Sequence, residues 1–235
     1  MICYAFPLAH EAQDLLKDCT QKEQFSIGGL HCILANFRGR PILVALVGMG
    51  QETAAENTQI IFQNFRPKAF VLAGYAGALV PQMHVGQVTL SNNFTSESVQ
   101  PFLRLLSGFD FASFCTTDEV VGTPQLREVY ANSTRSQVAE METAAVADVV
   151  FPRNIPFLAV RVISDEYQHV LPIGALAAGF DPAKGRATPF RLLAYLALHP
   201  KEFTPFKNFV SGLGLARKNL TAFLRQLNDE LPANW

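Results

Sequence analysis

"IPFLAVRVISD", Ile155 to Asp165, decides the fold. Almost every position is apolar or β-branched, so the stretch reads as a strand. It lacks the apolar/polar alternation of a half-solvated strand, which means that both faces must be covered. Strands of this kind sit in largely parallel sheets between two layers of helices. The run also stops abruptly at Ser164-Asp165, and in such sheets ligands gather at the carboxyl ends of the strands. One residue interrupts the apolar pattern: a guanidinium inside this strand, that of Arg161, needs a buried carboxylate partner, because an unpaired buried charge is costly.

Outward from this strand, strands and helices alternate. "MICYAF" reads as a strand and "EAQDLLKDC" as a helix; "LHCILANF" and "PILVALVGM" form a hairpin across "RGR". "QETAAENTQIIFQNF" has helical spacing and ends at Pro67. "AFVLAG" and "VGQVTLS" are strands separated by a glycine-rich turn, "GYAGAL"; "DFASFCTTD" is a further strand. "QVAEM" is a short strand that passes into a helix, "METAAVADVVF". After Asp165, "EYQHVLPIGALAAGFDPAKGRATP" reads as an irregular loop, followed by amphipathic segments near Pro189–His199 and Phe206–Leu231. The expectation is a three-layer α/β/α fold in one domain over residues 1–235, with 166–235 a variable loop plus C-terminal helices.

Bulk composition narrows the function. The chain has 235 residues, 49% of them hydrophobic, a formal net charge of -1 and a pI near 6.5. That is enough chain for a substantial core, and it carries no basic footprint for nucleic acid. No apolar run approaches the roughly 20 residues needed to span a bilayer. Cys3, Cys19, Cys32 and Cys115 follow neither metal nor disulfide spacing, so reduced thiols in the cytoplasm are expected. The five histidines form no i,i+3 or i,i+4 pair, and no metal is expected.

Four motifs bear on chemistry. "VGMGQETA" (Val47–Ala54) has Gly48 and Gly50 but Thr53 where a dinucleotide fingerprint needs glycine or alanine, and no acidic ribose ligand follows. It reads as a turn that packs backbone near a small ligand, or as a structural turn. In "LAGYAGALVP", Gly74 and Gly77 let backbone N–H groups approach an anion or sugar hydroxyl, or serve a plain turn. In "AEMETAAVADVV" (Ala139–Val150), Glu142 stands at a helix start, where orphan amides and the helix dipole hold a carboxylate ionised; ordinary charge complementarity is the alternative. Asp165, beside the Ser164 hydroxyl, is placed as a general acid with a raised pKa if its pocket is partly dry, or as the start of a loop.

Together, "EMETAAVA", "VRVISD" and "AGYAGAL…VGQVTLS" resemble motifs of the nucleoside phosphorylase / 5′-methylthioadenosine/S-adenosylhomocysteine nucleosidase superfamily, over about Met1 to Asp165. The resemblance implies a central mixed β-sheet flanked by helices, and a homodimer or larger homo-oligomer. It implies that Glu142 grips the ribose hydroxyls, that Met141 packs on the sugar, and that Asp165, helped by Ser164, protonates or hydrogen-bonds purine N7. "TDEVV" resembles the base-stacking stretch, so Val120 and Val121 would flank the purine. Glu11 in "AHEAQDLL" resembles an acid that activates the attacking water. Gly74, Tyr75 and Gly77 would line the substrate site; Tyr75 and Ala78 depart from the usual glycine turn.

The implied reaction is cleavage of a purine nucleoside N-glycosidic bond without a cofactor. Two acids divide the roles: Glu142 low in pKa, Asp165 raised. With Val71, Leu72 and Ala73 before the turn instead of arginine, hydrolysis is favoured over phosphorolysis. Arg38 or Arg40 would have to supply an anion site if inorganic phosphate were the co-substrate. The C-terminal part and "GMGQETA" are similar to the hopanoid-associated branch, which removes adenine from an adenosylated lipid. The substrate expected is a 5′-substituted adenosine, methylthioadenosine- or adenosylhomocysteine-like or an adenosyl-lipid. The alternatives are a phosphate-dependent phosphorylase or a catalytically silent nucleoside-binding protein.

Overall fold

In a computed structural model, which describes residues 1–181 and 186–232, the elements follow in chain order. They are β1 (Ile2–Phe6), α1 (Ala9–Asp18), β2 (Cys19–Ile27), β3 (Leu30–Phe37), β4 (Arg40–Leu46), α2 (Gln51–Asn64), β5 (Ala69–Ala78) and β6 (Val88–Ser91). Then come α3 (Gln100–Leu103), β7 (Asp110–Ala112), β8 (Phe114–Thr116), α4 (Pro124–Thr134), β9 (Val138–Glu140), α5 (Thr143–Val150) and β10 (Phe157–Asp165). The last helices are α6 (Ile173–Gly179), α7 (Pro189–Leu198) and α8 (Phe203–Glu230).

The sheet is mixed, in the order β2-β3-β4-β1-β5-β10-β6-β7, with β9 pairing the far end of β5 and β8 pairing β9. Its centre, β4-β1-β5-β10, is parallel; β3 joins β4 as the expected antiparallel hairpin. Strand alternation sorts the core into two layers. Ile2, Tyr4 and Phe6 of β1 face α1 and α8, among Leu15, Leu220 and Leu224. Cys3 and Ala5 face α2 and α5, among Ile61, Val146 and Val150. Helices therefore cover both faces, and every residue of β10 is buried, as its unbroken apolar run requires.

Several local expectations change. β5 continues through Gly74–Ala78, so "GYAGAL" is largely strand, not turn. "DFASFCTTD" breaks at Ser113 into β7 and β8, which join different neighbours. The stretch read as a loop after Asp165 contains α6 and a short hairpin of Phe180–Asp181 with Arg186–Ala187; its residues 182–185 lie outside the described residues, as do 233–235 of the chain end. β2, unread in the sequence, is a mostly exposed edge strand. Among the described residues, no helix is long and apolar enough to cross a membrane.

Candidate active site

Five elements deliver polar side chains to the carboxyl ends of β5 and β10. Arg161 lies on the face of β10 that looks toward α2 and α5, fully buried. Its Nη2 donates to Glu140 Oε2 at 2.5 Å and to Glu142 Oε2 at 3.0 Å. The carboxylate partner that the strand demanded is thus a pair, supplied by the β9–α5 junction. Glu140 does more than balance charge. Its Oε2 accepts the N–H groups of Glu142 (3.0 Å) and Thr143 (2.8 Å), and its Oε1 accepts the Thr116 hydroxyl at 2.5 Å.

The helix-start amides therefore go to Glu140, not to Glu142, which corrects the expectation for Glu142. Glu142 turns the other way, and its Oε1 accepts the Gly50 N–H at 2.9 Å. The "VGMGQETA" turn accordingly packs its backbone on the site. Burial raises the Glu140 carboxyl, but Arg161, the Thr116 hydroxyl and Thr143 more than offset it and hold its pKa below the usual carboxylate value. For Glu142, burial wins over Arg161, and the neighbouring Glu140 charge adds to it, so its pKa lies above the ordinary value instead of below.

Glu11 completes this cluster. At the third position of α1, it reaches back to accept Leu8 N–H at 2.7 Å and across to accept Tyr75 N–H at 2.8 Å. Burial pushes its pKa up to about 8, against the opposing pull of Arg161 and the two amides. One guanidinium faces three carboxyl groups in a dry site, so burial outweighs its pull on Glu11 and Glu142.

The second cluster is built on Asp165. The Ser164 hydroxyl donates to its Oδ1 at 2.6 Å, and Arg127 Nη2 donates to its Oδ2 at 2.5 Å. Arg127, on α4 and fully buried, also uses Nη1 to bind the carbonyls of Ala78 (3.1 Å), Asp165 (3.3 Å) and Glu166 (2.8 Å). Asp165 is therefore one half of a buried ion pair, with the expected Ser164 hydroxyl on its other oxygen.

The glycines of β5 also play a different part from the one expected. A Cβ on Gly74 would fall 2.7 Å from Glu11 Oε1 and 2.8 Å from Arg161 Nη1, and one on Gly77 would fall 2.8 Å from Asp165 Oδ2. They make room for side chains of the site itself. Tyr75 contributes its N–H, while its hydroxyl meets His10 Nδ1 at 3.0 Å, away from the carboxylates. Met141 is half-buried between the two glutamates. Val121 is buried against Leu79 and Ala139, whereas Val120 is 46% exposed, so the pair expected to flank a base is split.

Arg38 and Arg40 are held by Asp229 and Pro232 at the chain's far end and do not enter the cleft. Sequence reading missed Arg127 and gave Glu140 no role. Thr123-Pro124 is a helix-start signal, with the Thr123 hydroxyl capping Leu126 N–H, and it would have located α4 and with it Arg127. Among the described residues, no group of three or more His, Cys, Asp or Glu side chains is arranged to hold a metal ion.

The chain is similar to several known proteins. The 5′-methylthioadenosine/S-adenosylhomocysteine nucleosidase of Actinobacillus succinogenes is 24% identical over 211 residues, covering 72% of this chain and 90% of that protein. The enzyme of the same name from Shewanella loihica is 22% identical over 195 residues, covering 69% and 85%. In three dimensions, a futalosine hydrolase mutant of Helicobacter pylori superposes with a TM-score of 0.76 at 17% identity, over 98% of this chain and 99% of that one. The 5′-methylthioadenosine/S-adenosylhomocysteine nucleosidase of Helicobacter pylori, solved with butyl-thio-DADMe-Immucillin-A, gives 0.75 at 16%, over 98% of each. A model of the phosphorylase superfamily matches residues 2–112 and 109–179, and with most of its length so matched the chain belongs to that superfamily, as an enzyme of the nucleosidase and nucleoside phosphorylase class.

Proposed function

We propose that this enzyme hydrolyses the N-glycosidic bond of a 5′-substituted adenosine and releases adenine. One observation carries the reading: Glu11 and Glu142 share the buried cluster of Arg161, Asp165 anchors a second cluster at the carboxyl end of the same strand, and the guanidinium of each cluster is paired with a carboxylate. The arginines of the two clusters are thus held in ion pairs with the site's own acids, which favours water over phosphate as the nucleophile.

The roles follow from the environments. Glu142 grips the ribose hydroxyls, with Met141 against the sugar, and its negative charge stabilises the oxocarbenium-like sugar as the C1′–N9 bond breaks. Asp165, fixed by Ser164 and Arg127, hydrogen-bonds N7 and stabilises the proton that the departing purine gains there. Glu11, with its pKa near 8, is the base that takes a proton from the attacking water. Val121 borders the base, and Tyr75 serves through its backbone.

Adenine release should be followed from 5′-methylthioadenosine, S-adenosylhomocysteine and adenosine, each with and without inorganic phosphate. Release without phosphate is expected. Asp165→Asn and Glu142→Gln should each lower kcat/KM by about 100-fold or more. Strict phosphate dependence would replace hydrolysis by phosphorolysis, and an unchanged kcat/KM would remove the substituted acid from the mechanism.

A further inference from the structure

Residues 189–210 carry a surface that takes no part in the hydrogen bonds of the two carboxylate clusters. α7 is apolar but for Arg191. Leu192, Tyr195 and Leu196 lie on its half-buried side. On the other side Phe190, Leu193, Ala194, Ala197 and Leu198 recur at steps of three and four, and all five are exposed. Phe190 is 85% and Leu198 79% exposed, and Phe203, at the start of α8, adds a further apolar side chain at 56%. A solvated helix turns a polar stripe outward; a helix that turns an apolar stripe outward is made to be covered.

The charges around this stripe identify the covering. Arg191, Lys201 and Lys207 are exposed and make no ion pair among the described residues. Between Pro189 and Lys218 the sequence has one acid, Glu202. That acid is turned inward: its Oε1 accepts the Tyr195 hydroxyl at 2.8 Å and its Oε2 the Ala175 N–H at 3.3 Å. The outward face is thus apolar, rimmed by cations and free of anions. A second copy of the chain meeting it about a two-fold axis would bring the same patch, with cations and no outward acid, and so would supply no anion to neutralise the rim. An anionic surface neutralises the rim.

We propose that this face docks on an anionic lipid bilayer. Phe190, Leu193, Leu198 and Phe203 enter the boundary between headgroups and acyl chains, and Arg191, Lys201 and Lys207 meet lipid phosphates. The helix lies on the membrane and does not span it. None of these residues belongs to the carboxylate clusters, so docking and bond cleavage are separate properties of the chain.

The test is co-sedimentation of the full chain with mixed phosphatidylcholine–phosphatidylglycerol vesicles, with pure phosphatidylcholine as control, at low and raised salt. Binding to the anionic vesicles is expected, about 10-fold or more weaker on neutral ones and weakened by salt. Phe190→Ser with Leu198→Ser should reduce binding by about 10-fold or more with the far-UV circular dichroism retained. Lys201→Glu with Lys207→Glu should remove the salt-sensitive part, which keeps the test open should the apolar pair misfold. Absence of binding to anionic vesicles would overturn the proposal, as would binding that both double variants leave intact. Sedimentation velocity showing that the serine pair turns an oligomer into a monomer would assign the face to a second copy instead. The measurement needs no substrate, so its failure would leave the nucleosidase reading untouched.

Discussion

Replacing Glu11 with glutamine isolates one ionisation in the site. The Glu11 carboxyl has its pKa raised from 4.5 to about 8. The folded chain therefore keeps a proton that the unfolded chain releases, and the sign follows: stability declines as pH rises from about 4.5 to about 8 and is level above that. A shift of about 3.5 units, at about 1.4 kcal/mol each, sets a ceiling of about 5 kcal/mol. Relaxation around the charged form leaves about 2–3 kcal/mol as the expected loss. Glutamine does not titrate. It does turn an amide N–H₂ toward one of the two backbone donors, Leu8 N–H or Tyr75 N–H, but that cost is independent of pH and cancels when each protein is compared with itself. Urea denaturation at about pH 5, 7 and 9 should therefore show the stability of the wild-type protein falling relative to the variant by about 2–3 kcal/mol. Parallel stability curves would show that Glu11 titrates like any surface acid, and would refute the charge-balance reasoning. The same group should govern kcat/KM in the wild type, which should climb toward pH 8 as the base form appears, and the variant should have lost that limb.

Gly74→Ala should destabilise the chain by about 1–3 kcal/mol, lowering Tm by several degrees, because Glu11 and the buried Arg161 guanidinium are both held by partners where the added Cβ would fall; scanning calorimetry checks this, and an unchanged Tm would mean that the Arg161 cluster is looser than the geometry shows. Arg127→Ala leaves Asp165 as an unpaired buried charge and should cost about 3–5 kcal/mol. Adding Asp165→Asn to Arg127→Met should restore much of that stability without restoring adenine release, and recovery of release would dissociate Asp165 from the chemistry.

How much of this was legible in the sequence depended on whether a residue's partner was dictated locally. Arg161 in an apolar strand announced a buried acid on charge cost alone, and Glu140 and Glu142 answered it. Which of the two would take the helix amides was beyond pattern reading. It turns on the helix starting at Thr143, so that the N–H groups of Glu142 and Thr143 point at Glu140. β2 escaped because "TQKEQFSI" has no buried face to alternate against. Arg127 escaped because a helix-borne arginine looks solvated until the fold brings Asp165 to it. The glycines of β5 were noticed, but not the side chains beside them: a glycine advertises missing bulk, and only the tertiary structure says what fills the space.

That missing bulk also sets the geometry of the whole site. In the parallel pairing of β5 with β10, Arg161 stands opposite Gly74 and Asp165 opposite Gly77. Gly74 and Gly77 are three residues apart, so strand alternation places them on opposite faces of the sheet. Each glycine opens its own face to one cluster: Glu11 and Arg161 at Gly74, Asp165 and Arg127 at Gly77. A one-residue slip of this register would set Tyr75 against Arg161, and both clearances would close together. The fold thus ties the two acid clusters to a single register, and a ligand that reaches both must lie across the carboxyl end of the sheet. On the proposed function, a nucleoside suits that placement, with hydroxyls at its sugar end for Glu142 and a ring nitrogen at its base end for Asp165.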